Sequence, residues 1–164
     1  MEWMILPLKR YFDFAGRSRR MEFWMFQLLN FAVSAVLIGV LFAGLPWAAL
    51  FESMGADPGA PPVTPPDLDM ANWIIIGIGG TLYFIWWLGT LIPMIAVTVR
   101  RLHDRDLSGW WYGGLIIAGF IPLVNILAMI GWLVFLVFMF LPGTEGPNRF
   151  GPNPKDPGQT TVFE

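Results

Sequence analysis

Three long apolar runs without a charged residue, at positions 23–45, 73–99 and 109–141, alternate with polar segments along the chain. As an α-helix, the first run of 23 residues would be about 34 Å long at about 1.5 Å per residue. The hydrocarbon core of a bilayer is about 30 Å thick. The first two runs therefore predict membrane-spanning helices, and we expect an all-α, polytopic transmembrane helical bundle.

The third run has 33 residues. As one helix it would be about 50 Å long, too long for one span, and two halves of about 16 residues would each be slightly short. Pro122 and Asn125 lie near its centre and favour a turn. We predict a hairpin of two short helices that either crosses the bilayer thinly or re-enters it, giving about four membrane helices in total.

The polar segments divide a single integral membrane domain, residues 1–158, into membrane and aqueous parts. Residues 1–22 mix aromatic and basic side chains, which predicts an interfacial segment on the cytoplasmic side. Residues 46–72 contain six prolines, four acidic residues and no Lys or Arg, which predicts an extended, poorly ordered periplasmic loop. The other two segments are a cytoplasmic loop at 100–108 and a Pro/Gly-rich cytoplasmic tail at 142–164.

Two stripes of side chains lie side by side on the first apolar run. One is polar and the other small, and a helix places the members of each stripe on one face. Such residues favour helix packing, because a polar group in lipid lacks partners and small residues allow close approach. We predict that both stripes face protein; a polar conduit is the alternative for the first of them. The stripes are Gln27, Asn30 and Ser34, and Ala35, Gly39 and Ala43.

The second run contains small residues and a proline. Gly77, Gly80 and Thr81 predict a close crossing with another helix near the outer end of the run. Pro93 has no N–H for the carbonyl group of Gly89, which predicts a kink. The kink is either a hinge or a fixed feature of the packing.

The placement of charge sets the predicted orientation. Only 13% of residues are charged, against about 25% in soluble domains. Five Lys or Arg precede the first run, none lies in 46–72 and three lie in 100–108. By the positive-inside rule the N-terminus and the loop at 100–108 are cytoplasmic. A net charge of −2 argues against nucleic acid as a partner, and the chain has no Cys for disulfides or thiolate metal sites.

Three polar clusters interrupt the apolar background: GRSRRMEFW at 16–24, RRLHDRDLSGWW at 100–111 and PGTEGPNRFGPNP at 142–154. Together they resemble the domain-of-unknown-function 805 family of small bacterial inner-membrane proteins. The resemblance runs from about residue 11 to residue 155, with three motifs in the same order. It implies a multi-pass membrane protein with no agreed activity.

We expect the clusters to form a basic and polar surface at the cytoplasmic face that binds anionic lipid headgroups, since guanidinium groups bind phosphate through two hydrogen bonds. The alternative partner is another protein or a second copy of the chain. We also expect the first two clusters to meet, with Arg17, Arg20 and Glu22 close to Arg100, Arg101 and Asp104. The candidate surface residues are Arg17, Arg20, Glu22, Arg100, Arg101, His103, Asp104, Asn148 and Arg149. The predicted structural residues are Gly16, Trp24, Pro93, Ser108 (as a helix cap), Gly109, Trp110, Trp111, Pro122, Gly143, Gly146 and Gly151.

The leading functional hypothesis is a non-enzymatic scaffold or interaction protein without metal or cofactor. His103 is the single histidine, and a metal site needs several convergent ligands. A small transporter or channel is the first alternative, although ionisable residues normally mark ion pathways and the apolar runs have none. A membrane enzyme acting on a lipid phosphate, through His103 and Asp104, is the second.

Overall fold

The structure, a computed structural model, describes residues 2–55 and 69–155. Within these residues it is all-helical and has no strands, as the apolar runs predicted. The chain divides into two compact units, one of Met1–Leu29 with Thr90–Glu164 and one of Asn30–Gly89. The helices are α1 (Glu2–Lys9), α2 (Arg20–Ala43), α3 (Trp47–Gly55), α4 (Met70–Asp104), α5 (Trp110–Gly119) and α6 (Val124–Phe140).

The two predicted long spans are α2 and α4. Both helices are long and apolar enough to cross a membrane, over Arg20–Ala43 and Met70–His103. Helix α4 continues through Pro93 and ends at Asp104. The predicted loop 100–108 is therefore wrong in its first half, because the charged side chains at the end of α4 have partners that allow another helical turn.

The predicted hairpin in 109–141 is confirmed. Helices α5 and α6 are separated by residues 120–123, and Pro122 lies in this turn. Tyr112 in α5 stacks on Phe135 in α6 at 5.7 Å between ring centroids, and Leu115 lies against Gly131. Residues further along α5 contact residues that come earlier in α6, so the two helices run antiparallel.

The core of the first unit forms where α2, α4 and α6 contribute apolar side chains to one cluster. Its buried members come from the first turns of α2, the last turns of α4 and the second half of α6. Trp24, Leu107 and Tyr112 pack around them. The cluster consists of Phe23, Phe26, Val97, Leu102, Phe135 and Met139.

In the second unit, glycine allows close approach between α2 and α4. A Cβ on Gly79 would lie 2.9 Å from the backbone nitrogen of Leu41, and one on Gly44 would lie 2.7 Å from a side-chain carbon of Ile76. The close crossing is therefore at Gly79, whereas a Cβ on Gly77 would meet nothing within 4 Å. Spacing alone does not identify which glycine of the helix faces the neighbour.

The predicted extended loop 46–72 is wrong for its first part, because α3 occupies Trp47–Gly55. Pro46 directly precedes this helix, and a proline at a helix start loses no hydrogen bond. The other prolines of the loop lie in residues 56–68, which are outside the described residues, as are residues 156–164 of the tail.

The two stripes of α2 differ in burial. Asn30 is buried and Gln27 and Ser34 are partly buried, whereas Ala35, Gly39 and Ala43 are exposed. The small stripe is therefore not covered by the described part of this chain, and its packing against protein stays a prediction. Small side chains allow another helix to approach closely, but they have little apolar surface to bury and so do not by themselves require a neighbouring helix.

Candidate functional site

The three polar motifs come together within the first unit. Arg17 lies just before α2 and Glu22 in its first turn, while Asp104 is the last residue of α4. Residues 142–151 follow α6 and lie against the same helix ends, with the amide of Thr144 donating to the carbonyl oxygen of Asp104 at 2.8 Å. The three motifs therefore meet at one place.

Ion pairs join the first two motifs. Arg17 Nη2 lies 3.0 Å from Asp104 Oδ1, and Arg100 Nη2 lies 2.9 Å from Glu22 Oε1. Arg101 pairs with the other oxygen of Asp104. These five side chains are almost fully buried, with at most 4% of any side chain exposed. We call them the buried ion-pair network.

Arg20 was expected in this group, but it donates to the carbonyl oxygen of Phe140 at 3.1 Å. Three guanidinium groups face two carboxylates in the network, and backbone carbonyl oxygens supply the missing acceptors. Arg17 donates to Thr144 at 2.6 Å and to Gly146 at 2.7 Å.

Further arginines bind carbonyl groups in the same way. Arg101 donates to Met139 and Leu141, Arg105 to Pro142 and Arg19 to Pro154. The arginines therefore fix the path of the C-terminal segment as well as balancing charge.

Asp13 adds an acceptor that the sequence analysis missed. Its carbonyl oxygen accepts from Arg100 at 2.6 Å, and its carboxylate pairs with Arg10 at 2.6 Å. Partial burial raises the pKa of Asp13, but the hydrogen bond and charge of Arg10, with the charge of Arg100, outweigh it and lower the pKa below its ordinary value. The available signal was the spacing of Arg10 and Asp13, three residues apart.

Four glycines of the motifs lie where a larger residue would be strained or would clash with a neighbour. Gly16, Gly146 and Gly151 have φ of 76°, 69° and 134°, a region that favours glycine. A Cβ on Gly143 would overlap the carboxylate of Asp104. These conformations and contacts are those expected of glycines with a structural role, which stays a prediction.

Gly109 is also needed for close packing, because a Cβ there would lie 2.7 Å from a side-chain carbon of Val99. Gly109 is in addition the N-cap of α5. Ser108, one residue earlier, accepts a long hydrogen bond from the Trp110 amide through its hydroxyl oxygen, at 3.4 Å, as the predicted cap would.

The tryptophans of the motifs differ in environment. The Trp24 indole N–H donates to the Met139 carbonyl oxygen at 3.3 Å, and its ring stacks on Phe140 at 4.2 Å between centroids. Trp110 and Trp111 remain 81% and 62% exposed. Trp24 therefore fixes the end of α6, and the other two form part of the surface.

His103 joins the second motif to the third. Its ring stacks on Phe150 at 3.8 Å between centroids, and Nδ1 lies 3.1 Å from the carbonyl oxygen of Gly16, so Nδ1 carries the proton. Asn148 donates to the His103 carbonyl oxygen at 2.9 Å. Arg149 lies over Phe150 at 4.7 Å and forms an exposed ion pair with Asp106 at 3.1 Å. We call the stack of His103, Phe150 and Arg149 the aromatic–basic patch.

Burial corrects the predicted surface. Arg17, Glu22, Arg100, Arg101 and Asp104 form the interior of the site, because each has found a partner of opposite charge or a backbone acceptor. Arg20 and Arg149 are exposed, and His103 and Asn148 are partly exposed. Over residues 2–55 and 69–155, no group of three His, Cys, Asp or Glu is placed to hold a metal ion.

These helices and this charged, tail-bound end define an all-helical membrane protein with two helices able to span a bilayer. The sequence profile of the protein-of-unknown-function family DUF805 matches residues 11–152, and the chain belongs to this family. It is similar to the inner membrane proteins YhaH and YhaI of Escherichia coli strain K12, with 37% and 35% identity.

Each of these two similarities covers 94% of this chain, and 98% of YhaH or 97% of YhaI. The chain is also 28% identical to the uncharacterized protein YiiR of the same strain over 88% of each chain. No solved structure matches the chain.

Proposed function

We propose that this protein is a non-enzymatic interaction protein of the bacterial inner membrane, whose N-terminus and three polar motifs face the cytoplasm. The buried ion-pair network carries the proposal. Its charged groups bond to one another and to the C-terminal segment, so they build a fixed platform and are not free to react with a substrate. The functional part of the protein is then the surface that this platform holds in place.

The aromatic–basic patch and Arg20 are the exposed basic part of that surface. The ion pair between Arg149 and Asp106 joins side chains that are 60% and 47% exposed, and exposed pairs contribute only about 0–1 kcal/mol. The Arg149 guanidinium can therefore exchange this carboxylate for a phosphate oxygen. We propose anionic phospholipid headgroups as the partner.

The distribution of basic residues supports the orientation. All 10 Lys and Arg of the chain lie in the unit of Met1–Leu29 and Thr90–Glu164, and none lies between Asn30 and Gly89. Basic residues near membrane spans remain on the cytoplasmic side. The C-terminal segment packs against the end of α4, which supports a cytoplasmic tail as well.

The N-terminal segment also fits a position at the membrane surface. Trp3, Ile5, Phe12 and Phe14 expose apolar or aromatic surface, with Phe12 73% exposed. Lys9 is exposed beside them. A segment with this mixture binds at the boundary between headgroups and acyl chains.

Cysteine labelling tests the orientation, because the chain has no native Cys. In intact cells, an impermeant thiol reagent is expected to label Pro62→Cys, while Lys155→Cys is labelled only after the inner membrane is opened. The reverse pattern would overturn the orientation.

Lipid selectivity tests the partner. Delipidated protein in detergent is titrated with phosphatidylglycerol or phosphatidylcholine while the Tm is followed. Phosphatidylglycerol is expected to raise the Tm more, and the double variant Arg20→Gln/Arg149→Gln is expected to lose most of the difference. The control, Lys155→Gln, removes one charge outside the patch and is expected to keep it. Equal effects of the two lipids on the native chain would refute the proposed partner.

The two rival functions are tested with the protein in liposomes. Ion flux above that of empty liposomes would favour a transporter. Release of a phosphorylated headgroup that His103→Ala abolishes would favour an enzyme. For an interaction protein we expect neither ion flux nor headgroup release.

A further inference from the structure

Helix α3 exposes a stripe of large apolar side chains. Trp47, Phe51 and Met54 are 41%, 66% and 82% exposed. Their spacing of four and three residues places them on one face of the helix. With 9 residues, α3 is about 14 Å long and cannot cross a bilayer.

The start of α3 is tied to the end of α2. The Trp47 indole N–H donates to the Phe42 carbonyl oxygen at 2.8 Å, and the two rings stack at 5.6 Å between centroids. The connection from Ala43 to Trp47 reaches about 14 Å at most, even when fully extended. Asn72 fixes the same turn by donating to the Gly44 carbonyl oxygen at 2.8 Å.

This attachment sets the depth of α3 in the membrane. Helix α2 has 24 residues and is about 36 Å long, slightly more than a hydrocarbon core of about 30 Å. When α2 spans the bilayer, its Ala43 end lies at the boundary with the headgroups. The apolar stripe of α3 therefore begins at that boundary. If α3 instead lay in the aqueous phase, its three large apolar side chains would be exposed to water.

We propose that α3 is an interfacial helix that inserts Trp47, Phe51 and Met54 among the lipids of the leaflet at the Ala43 end of α2. It anchors that end of the span and fixes its depth. The segment Asn30–Gly89 contains no Lys or Arg, so insertion depends on apolar and aromatic burial and not on attraction to anionic headgroups. This distinguishes α3 from the basic surface of the first unit.

Site-directed spin labelling tests the inference in the full chain. Single-cysteine variants Phe51→Cys and Met54→Cys are labelled and reconstituted into phosphatidylcholine vesicles. Collision with oxygen, which concentrates in lipid, is compared with collision with a water-soluble nickel chelate. Ile85→Cys, at an exposed position in the apolar part of α4, gives the reference for lipid. Lys155→Cys, at an exposed position of the tail, gives the reference for water.

Labels at 51 and 54 are expected to collide with oxygen more, and with the chelate less, than the label at 155. Their depth should be shallower than that of the label at 85. The values should stay the same with added phosphatidylglycerol or high salt. Water-like values would overturn the proposal, as would protection from both reagents, which indicates cover by protein. Insertion that requires anionic lipid would overturn the apolar mechanism. A lipid-like collision pattern for the label at 85 verifies that the protein has inserted into the vesicles in each preparation.

Discussion

The buried arginines illustrate how single residues act in this molecule. An unpaired guanidinium away from water is strongly unfavourable, and these side chains are stable only because carboxylates and carbonyl oxygens surround them. Arg100 and Arg101 still have Nε atoms without a hydrogen-bond partner in the described part of the chain. The network is therefore sensitive to the loss of any acceptor.

Removing the charge of Asp104 is expected to be costly. Asp104→Asn leaves Arg17 and Arg101 buried beside a neutral amide, and breaking a buried pair costs about 3–5 kcal/mol. The control Asp106→Asn removes the exposed pair with Arg149 and should cost about 0–1 kcal/mol. Equilibrium unfolding in mixed detergent micelles measures both. Equal losses would contradict the burial of the network.

Gly143→Ala is expected to destabilise the site, because the added methyl group overlaps the carboxylate of Asp104. The matched control is Gly114→Ala in α5, where a Cβ meets nothing within 4 Å. There alanine should be neutral or stabilising, since glycine costs about 1 kcal/mol inside a helix. Thermal unfolding in detergent should show a lower Tm for the first variant alone. An unchanged Tm for Gly143→Ala would mean that the two residues are not in contact.

At the residue scale, the sequence predicted which motifs meet but not how deeply they are buried. Charges at the ends of two spans were expected to pair across them, and Arg17 with Asp104 and Arg100 with Glu22 do so. The same residues were predicted to form a surface, which is wrong. Much of their environment consists of backbone carbonyl oxygens, which every residue carries and no sequence pattern marks.

At the scale of elements, length and hydropathy were sufficient for the spans and for the hairpin. Two features were missed. The start of 46–72 was assigned as loop from its overall proline content, although Trp47–Gly55 itself contains no proline. The end of α4 was placed before Arg100, because charge normally marks the edge of a membrane helix, and here the charges are neutralised within the protein.

The hairpin turn contains a strained residue that glycine should relieve. Leu123 has φ of 69° and is 82% exposed. With ψ of −41° it lies in a sparsely populated region that costs a side chain about 1–3 kcal/mol, more than the about 0.5–1 kcal/mol of chain entropy that glycine costs. Leu123→Gly is therefore expected to leave stability unchanged or slightly raised.

The same substitution at Leu127, 67% exposed within α6, should lose about 1 kcal/mol. Equilibrium unfolding of the two variants gives the comparison. If Leu123→Gly is as damaging as Leu127→Gly, the turn is not strained.

At the scale of the whole molecule, the three polar motifs form one buried network that holds the ends of α2 and α4 and the C-terminal segment together. This arrangement explains why widely separated motifs share one structural task. It also explains the composition of the motifs. The arginines bind carboxylates and backbone carbonyl oxygens, the carboxylates balance the buried positive charge, and the glycines let the chain segments approach one another closely.

A double-mutant cycle on Arg17→Gln and Asp104→Asn tests whether this network exists, with unfolding free energies measured in mixed detergent micelles. The two residues are 87 positions apart in sequence and 3.0 Å apart in space. The double variant is expected to lose less stability than the sum of the single variants, by about 0.5–3 kcal/mol, as for residues in contact. Losses that add within about 0.3–0.5 kcal/mol would show independent sites and contradict the network.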